Sequence, residues 1–162
     1  MLLGINIIVI LVLLVVVFQD LKYRAIHVIL PILLFVGAIA RFLILEHAIS
    51  ELLFTVVFLV LVLLGLFIYT SIKSKKIINP IDSSIGLGDI VFFIVIIPLF
   101  FSTTYIFFFS TGMLFTIACH LLFTKNKEAH VPLAGYLSIY LILLFIVDFF
   151  IDKELFYTHN LI

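Results

Sequence analysis

The chain is a succession of apolar runs, most of them about as long as a bilayer is thick, and this leaves few folds open to it. Residues 2–18, 28–45, 52–69, 90–101, 105–123 and 134–151 carry almost no charge. A helix needs about 20 apolar residues to cross the hydrocarbon core, and its backbone polar groups are satisfied within the helix. The chain is 66% hydrophobic and 11% charged, whereas soluble domains run at about 45–50% and about 25%. These runs predict an all-α, polytopic transmembrane bundle of about six spans, forming one domain over residues 1–162. The fourth run is short. It is expected as a small helix packed inside the bundle, or as one that begins in the glycine-rich segment before it. Glu46 to Glu51 reads as a tight acidic turn, and Ser102-Thr103-Thr104 as a minimal one. The first run lacks a basic leader and a small-residue cleavage site, so it reads as a span rather than a signal peptide.

Charge and cysteine content remove several function classes. Nine basic and nine acidic residues give a formal net charge of zero, which argues against nucleic acid as a partner, because a binder carries an excess of basic residues to neutralise phosphates. The single cysteine, Cys119, excludes an internal disulfide framework and a Cys-rich zinc site. His27, His47, His120, His130 and His159 are scattered, with no His-x-x-x-His pattern. No metal or cofactor is therefore expected. With six spans, Lys22, Arg24, Lys73, Lys75, Lys76, Lys125 and Lys127 fall on one side, leaving Arg41 and Lys153 on the other. The positive-inside rule makes the lysine-rich side cytoplasmic and puts both termini outside, in a multi-pass cytoplasmic (inner) membrane protein. Arg41, near the far end of the second span, is expected to snorkel to the interface.

Against this apolar background Gly86-Leu87-Gly88-Asp89 is conspicuous, because it sits where a polar segment, residues 70–84, enters the fourth run. A carboxylate at a membrane border is a functional-site hypothesis; the plainer reading is a helix N-terminus, where Asp is favoured. Asp20 follows the first span on the same predicted side. Two carboxylates at matching depth are what aspartyl hydrolysis needs: one takes a proton from water and the other donates one to the scissile carbonyl. Such a pair shares a proton and titrates as a unit. Gly86 and Gly88 would let backbone and substrate approach closely and adopt unusual dihedrals at little cost. Lys22 and Arg24 are first topology signals and lipid contacts, with substrate holding a secondary role. Asp82 reads as a turn residue, Asp148 as an interfacial or intrabundle hydrogen-bonding group, and Glu46 and Glu51 as polar groups of the outer turn.

These residues resemble the type IV prepilin peptidases, membrane aspartyl proteases of the Gly-x-Gly-Asp class. Asp20-Leu21-Lys22-Tyr23-Arg24-Ala25-Ile26 is similar to that family's Asp-x-x-x-Arg-x-Ile pattern. Gly86-Leu87-Gly88-Asp89 is similar to its second catalytic motif, and Val131-Pro132-Leu133-Ala134-Gly135 to the segment opening its last helix, with Pro132 in support. The three occur in the family's order. Where the family usually has Pro-Asn after the first motif, this chain has His27-Val28; where it usually has Lys two residues after the second Asp, this chain has Val91. Larger bacterial members carry two Cys-x-x-Cys pairs and perform N-methylation; neither pair is present here. The resemblance implies Asp20 and Asp89 as catalytic residues and pilin-like precursors as substrates, cut at the cytoplasmic face with water as the nucleophile and no cofactor. The competing readings are a degenerate relative acting as a scaffold in pilus or secretion assembly, and a small ion-coupled transporter using the two Asp side chains as ligands.

Overall fold

The computed structural model describes residues 1–46, 48–74, 86–123 and 131–151, and among these it shows six α-helices, one 3-10 turn and no strand. Asp82, Lys75, Lys76, Lys125, Lys127, Lys153 and the histidines at 47, 130 and 159 lie outside the described residues. The helices are α1 (Leu2–Tyr23), α2 (Ile29–Ile44), α3 (Ile49–Ser74), α4 (Leu87–Val95), α5 (Ser102–Phe123) and α6 (Leu133–Ile151), with the 3-10 turn at Ile97–Leu99. Four of them, α1, α3, α5 and α6, are long and apolar enough to cross a membrane; α2 and α4 are shorter. Leu61, Phe54, Leu122 and Phe150 are among many large apolar side chains left exposed, an arrangement suited to hydrocarbon rather than water.

Several boundaries differ from the sequence expectation, each for a local reason. The first helix does not stop at residue 18. It continues through Asp20 and ends where Arg24 turns left-handed (φ 54°) with its N–H on the Asp20 carbonyl. Asp20 is therefore a last-turn helix residue, not a loop residue. Helix α3 begins within the expected acidic turn, so Ser50 and Glu51 are helical. Ser102-Thr103-Thr104 is likewise not a turn but the first turn of α5. The Glu51 carboxylate accepts hydrogen bonds from the Ser102 N–H (3.1 Å) and Oγ–H (2.5 Å), supplying a partner for an orphan amide and a negative charge at a helix N-terminus.

Helix α4 has nine residues and starts from Gly86 in extended conformation. The helix is short and begins inside the glycine motif, but it is not packed wholly inside the bundle, because Leu87, Val91 and Ile94 are exposed on one side of it. Its end lies within the bundle, where Pro98 cannot donate an N–H to continue it. The exposed ends of a broken helix in an apolar bundle need partners. The buried Tyr105 hydroxyl donates to the Phe93 carbonyl at 3.0 Å, meeting that need.

Helices α1, α2 and α6 pack as one group, with α4 against α2 and α6, α5 on α6, and α3 touching only α5 and the 3-10 turn closely. Packing is close where small residues allow it. A Cβ on Gly112 would lie 2.7 Å from Leu137 Cδ2, and one on Gly37 would lie 2.8 Å from Val9 Cγ2, the small-residue mode of helix association in lipid. Arg41 does not snorkel: it is 1% exposed, with Nη2 3.5 Å from Asp148 Oδ2 and Nη1 bonded to Asn6 Oδ1. Asn6 of α1 and Asp148 of α6 are polar partners that hold it inside the bundle.

Candidate active site

The site is assembled at the start of α6. Pro132 precedes the helix, and the first amides of any helix lack intrahelical acceptors. Here two of them have found carboxylates. The Ala134 N–H donates to Asp89 Oδ1 at 3.0 Å, and the Gly135 N–H donates to Asp20 Oδ2 at 2.6 Å. Residues from α1 and α4 thus meet on consecutive amides of a third helix, at the positive end of its dipole. Neighbouring Cα atoms are about 3.8 Å apart, and the two carboxylates are close enough for their charges to interact.

Each carboxylate is positioned by its own helix. Val9, Leu13, Val16 and Asp20 are buried together on α1, and their 4-3-4 spacing makes one stripe along a helix. The stripe that buries α1 therefore also carries Asp20 to the α6 interface, where it is 6% exposed. Asp89 occupies the third position of α4, where Gly86 accepts the Asp89 and Ile90 N–H groups through its carbonyl. The helix start aims the Asp89 side chain across to α6.

The glycines act differently from expectation. No described glycine has positive φ, so unusual dihedrals are not the reason for Gly86 or Gly88. At Gly86 the reason is proximity: a Cβ there would stand 3.3 Å from Asp89 Oδ2. At Gly88 a Cβ would only touch Ile26 Cδ1 at 3.7 Å, an ordinary contact. Of the glycines beside the two carboxylates, Gly135 has the tightest demand: a Cβ there would lie 3.0 Å from Asp20 Oδ2 and 3.2 Å from Asp20 Cβ. In the sequence Pro132 stands out in this segment, and nothing marks Ala134 or Gly135 as carboxylate partners. Their contribution is backbone N–H, which every non-proline residue has.

Lys22 turns away from the pair, its Nζ lying 5.1 Å and 5.0 Å from the ring centroids of Phe18 and Tyr23. Arg24 is exposed and within electrostatic range of Asp20. The loop between α1 and α2 is fixed by the His27 N–H, which donates to Gln19 Oε1 at 2.9 Å, a contact that no sequence pattern marks. Glu51 is tied to Ser102 and Asp148 to Arg41, so the structure brings together only Asp20 and Asp89 of the acidic candidates described. Among the described residues no three His, Cys, Asp or Glu side chains gather as a metal site requires. Compared with protein-family models, curated proteins and solved structures, the chain matches none.

Proposed function

We propose that this chain is a membrane aspartic endopeptidase, similar in its chemistry to the type IV prepilin peptidases, that removes the leader from pilin-like precursors at the cytoplasmic membrane face. The observation that carries the reading is the seating of Asp20 and Asp89 on the adjacent Ala134 and Gly135 amides. An ion-ligand pair would need only proximity. Hydrolysis also needs each carboxylate held in a fixed orientation, and these two hydrogen bonds supply it.

In this mechanism one carboxyl is ionised and the other protonated. The ionised group takes a proton from water as the water oxygen bonds to the scissile carbonyl carbon. The protonated group gives its proton to the carbonyl oxygen, forming a neutral gem-diol. Collapse of the gem-diol breaks the C–N bond, with a proton passing to the departing amine. The pair titrates as a unit, so acid and base are not assigned to individual residues.

The geometry around Asp89 fits a substrate that arrives within the membrane. Leu87, Val91 and Ile94 are exposed on α4 at helical spacing, an apolar strip beside Asp89 along which a precursor helix can lie. Counted from Ser102, α5 extends about 33 Å, while the chain running back through the extended Phe100, the 3-10 turn and α4 reaches Asp89 within about 27 Å. The carboxylates are thus recessed relative to the end of α5, and the positive-inside count supports their placement on the cytoplasmic half.

The deciding experiment reconstitutes the purified protein with a precursor carrying a short basic leader and an apolar helix, and reads products by mass spectrometry. Cleavage at the leader–helix junction is expected for the wild type and absent in Asp89→Asn. No cleavage by the wild type, or undiminished cleavage by Asp20→Asn and Asp89→Asn, would reject the reading. Ion-dependent uptake lost in either variant would favour transport.

A finer test addresses the amides. Proline is tolerated in the first turn of a helix, so Ala134→Pro is expected to keep α6 while removing the donor to Asp89. A hydrogen bond to a charged group contributes about 1.5–3 kcal/mol, so kcat is expected to fall roughly 10- to 150-fold, with KM for the precursor little changed.

A further inference from the structure

We infer that Arg41 is a positioning residue for the carboxylate pair: by joining Asn6 of α1 to Asp148 of α6, it fixes the register in which Asp20 meets the Gly135 amide. The guanidinium is 1% exposed and reaches both helices, with Nη1 bonded to Asn6 Oδ1 and Nη2 3.5 Å from Asp148 Oδ2. It also lies 5.3 Å from the Phe145 ring centroid. A residue of α2 thus bridges the two helices that carry Asp20 and its amide partner. The close contact of Gly37 with Val9 lies one turn away from Arg41 on α2 and lets that helix approach α1.

The two polar ties bracket one interface. From Asn6 to Asp20 is fourteen residues, about 21 Å of helix, and from Gly135 to Asp148 is thirteen, about 20 Å. The near-equal spans let both ties form together between antiparallel helices. Between them most of the buried residues are apolar, Val9, Leu13 and Val16 on α1 and Leu137, Leu141 and Phe145 on α6, with Ser138 a buried polar residue in the same stretch of α6. Apolar contacts discriminate weakly between registers in lipid, because acyl chains are as apolar as leucine. A slip of one residue would move Asp20 by about 1.5 Å relative to Gly135, more than a 2.6 Å hydrogen bond can absorb. A polar contact that is lost on slipping selects the register, the best-attested use of buried polar groups.

Only the consequence for cleavage rests on the peptidase reading; the tie itself is tested without it. In nanodiscs, the Gly135 amide proton reports its bond to Asp20 through its NMR shift and its hydrogen-exchange rate. Arg41→Gln and Asp148→Asn are expected to move that shift toward ordinary amide values and to speed exchange tenfold or more. Arg41→Lys is expected to retain part of the protection. Cleavage by the first two variants is expected to lose tenfold or more in kcat with KM unchanged. Helix content by circular dichroism is the folding control. If a charge variant fails to fold, Asn6→Leu, which strands no opposite charge, is read instead and is expected to shift the same amide in the same direction. Folded variants with an unmoved Gly135 amide overturn the inference, whatever the wild type cleaves. A responsive Gly135 amide in a protein that cleaves no precursor upholds the tie and rejects the peptidase reading.

Discussion

Gly135→Val is expected to lower leader cleavage at least about 100-fold while the protein stays helical and membrane-inserted. The first added atom already stands 3.0 Å from Asp20 Oδ2 and 3.2 Å from Asp20 Cβ. The two methyl groups that follow need space that α1 occupies, so the carboxylate must leave the Gly135 amide. Misplacing a reacting group by about 1 Å costs on the order of 100-fold. Alanine gives the graded control. In a helix interior, replacing glycine with alanine ordinarily stabilises by roughly 0.5–1 kcal/mol, yet at this position Asp20 must yield a few tenths of an ångström. Gly135→Ala is therefore expected to lose activity without losing thermal stability. Comparing cleavage rates with melting temperatures across glycine, alanine and valine separates a positional effect from unfolding. Retained activity in the valine variant would show that the Asp20–Gly135 contact is not needed for the reaction.

The second large effect concerns the carboxylates together. Asp20→Asn and Asp89→Asn are each expected to reduce kcat by roughly 10²–10⁴-fold, the range for removing a positioned acid or base. The double variant is expected to lie within a few-fold of the worse single one. Groups that act as one unit are strongly non-additive, because losing either disables the shared proton transfer. Asparagine keeps the shape and an accepting oxygen, so the Ala134 and Gly135 amides retain partners and the bundle is not destabilised by unsatisfied donors. The measurement is kcat for all four proteins on one precursor. Losses that multiply would mean that Asp20 and Asp89 act at separate steps or separate places.

Much of the fold was readable from local pattern. Apolar runs of bilayer length give helices wherever water is absent, so the all-α architecture and most helix centres followed from the sequence. The errors were at helix ends. In the sequence Asp20, Glu51 and Ser102 read as loop residues, because polar residues ordinarily mark loops. In the structure each sits on a helix and finds a partner across the bundle: the Gly135 amide for Asp20, and each other for Glu51 and Ser102. Arg41 differs from its sequence reading for the same reason. Snorkelling is the expectation for a lone cation near a span end, and only packing revealed that Asn6 and Asp148 stand beside it.

The sequence by itself determined that this chain is a bundle of apolar helices, that Gly86 to Asp89 lies at the entry to one of them, and that Asp20 follows the first apolar run on the same predicted side. Periodicity and hydropathy are local properties, and they act wherever the residues occur. Only the tertiary structure decided that the two carboxylates meet, and on what. Their common support is a pair of main-chain N–H groups, chemically the same as any other pair along the chain. Those amides become acceptor-seeking because a helix begins at Leu133, and they receive Asp20 and Asp89 because α1 and α4 pack there in one register.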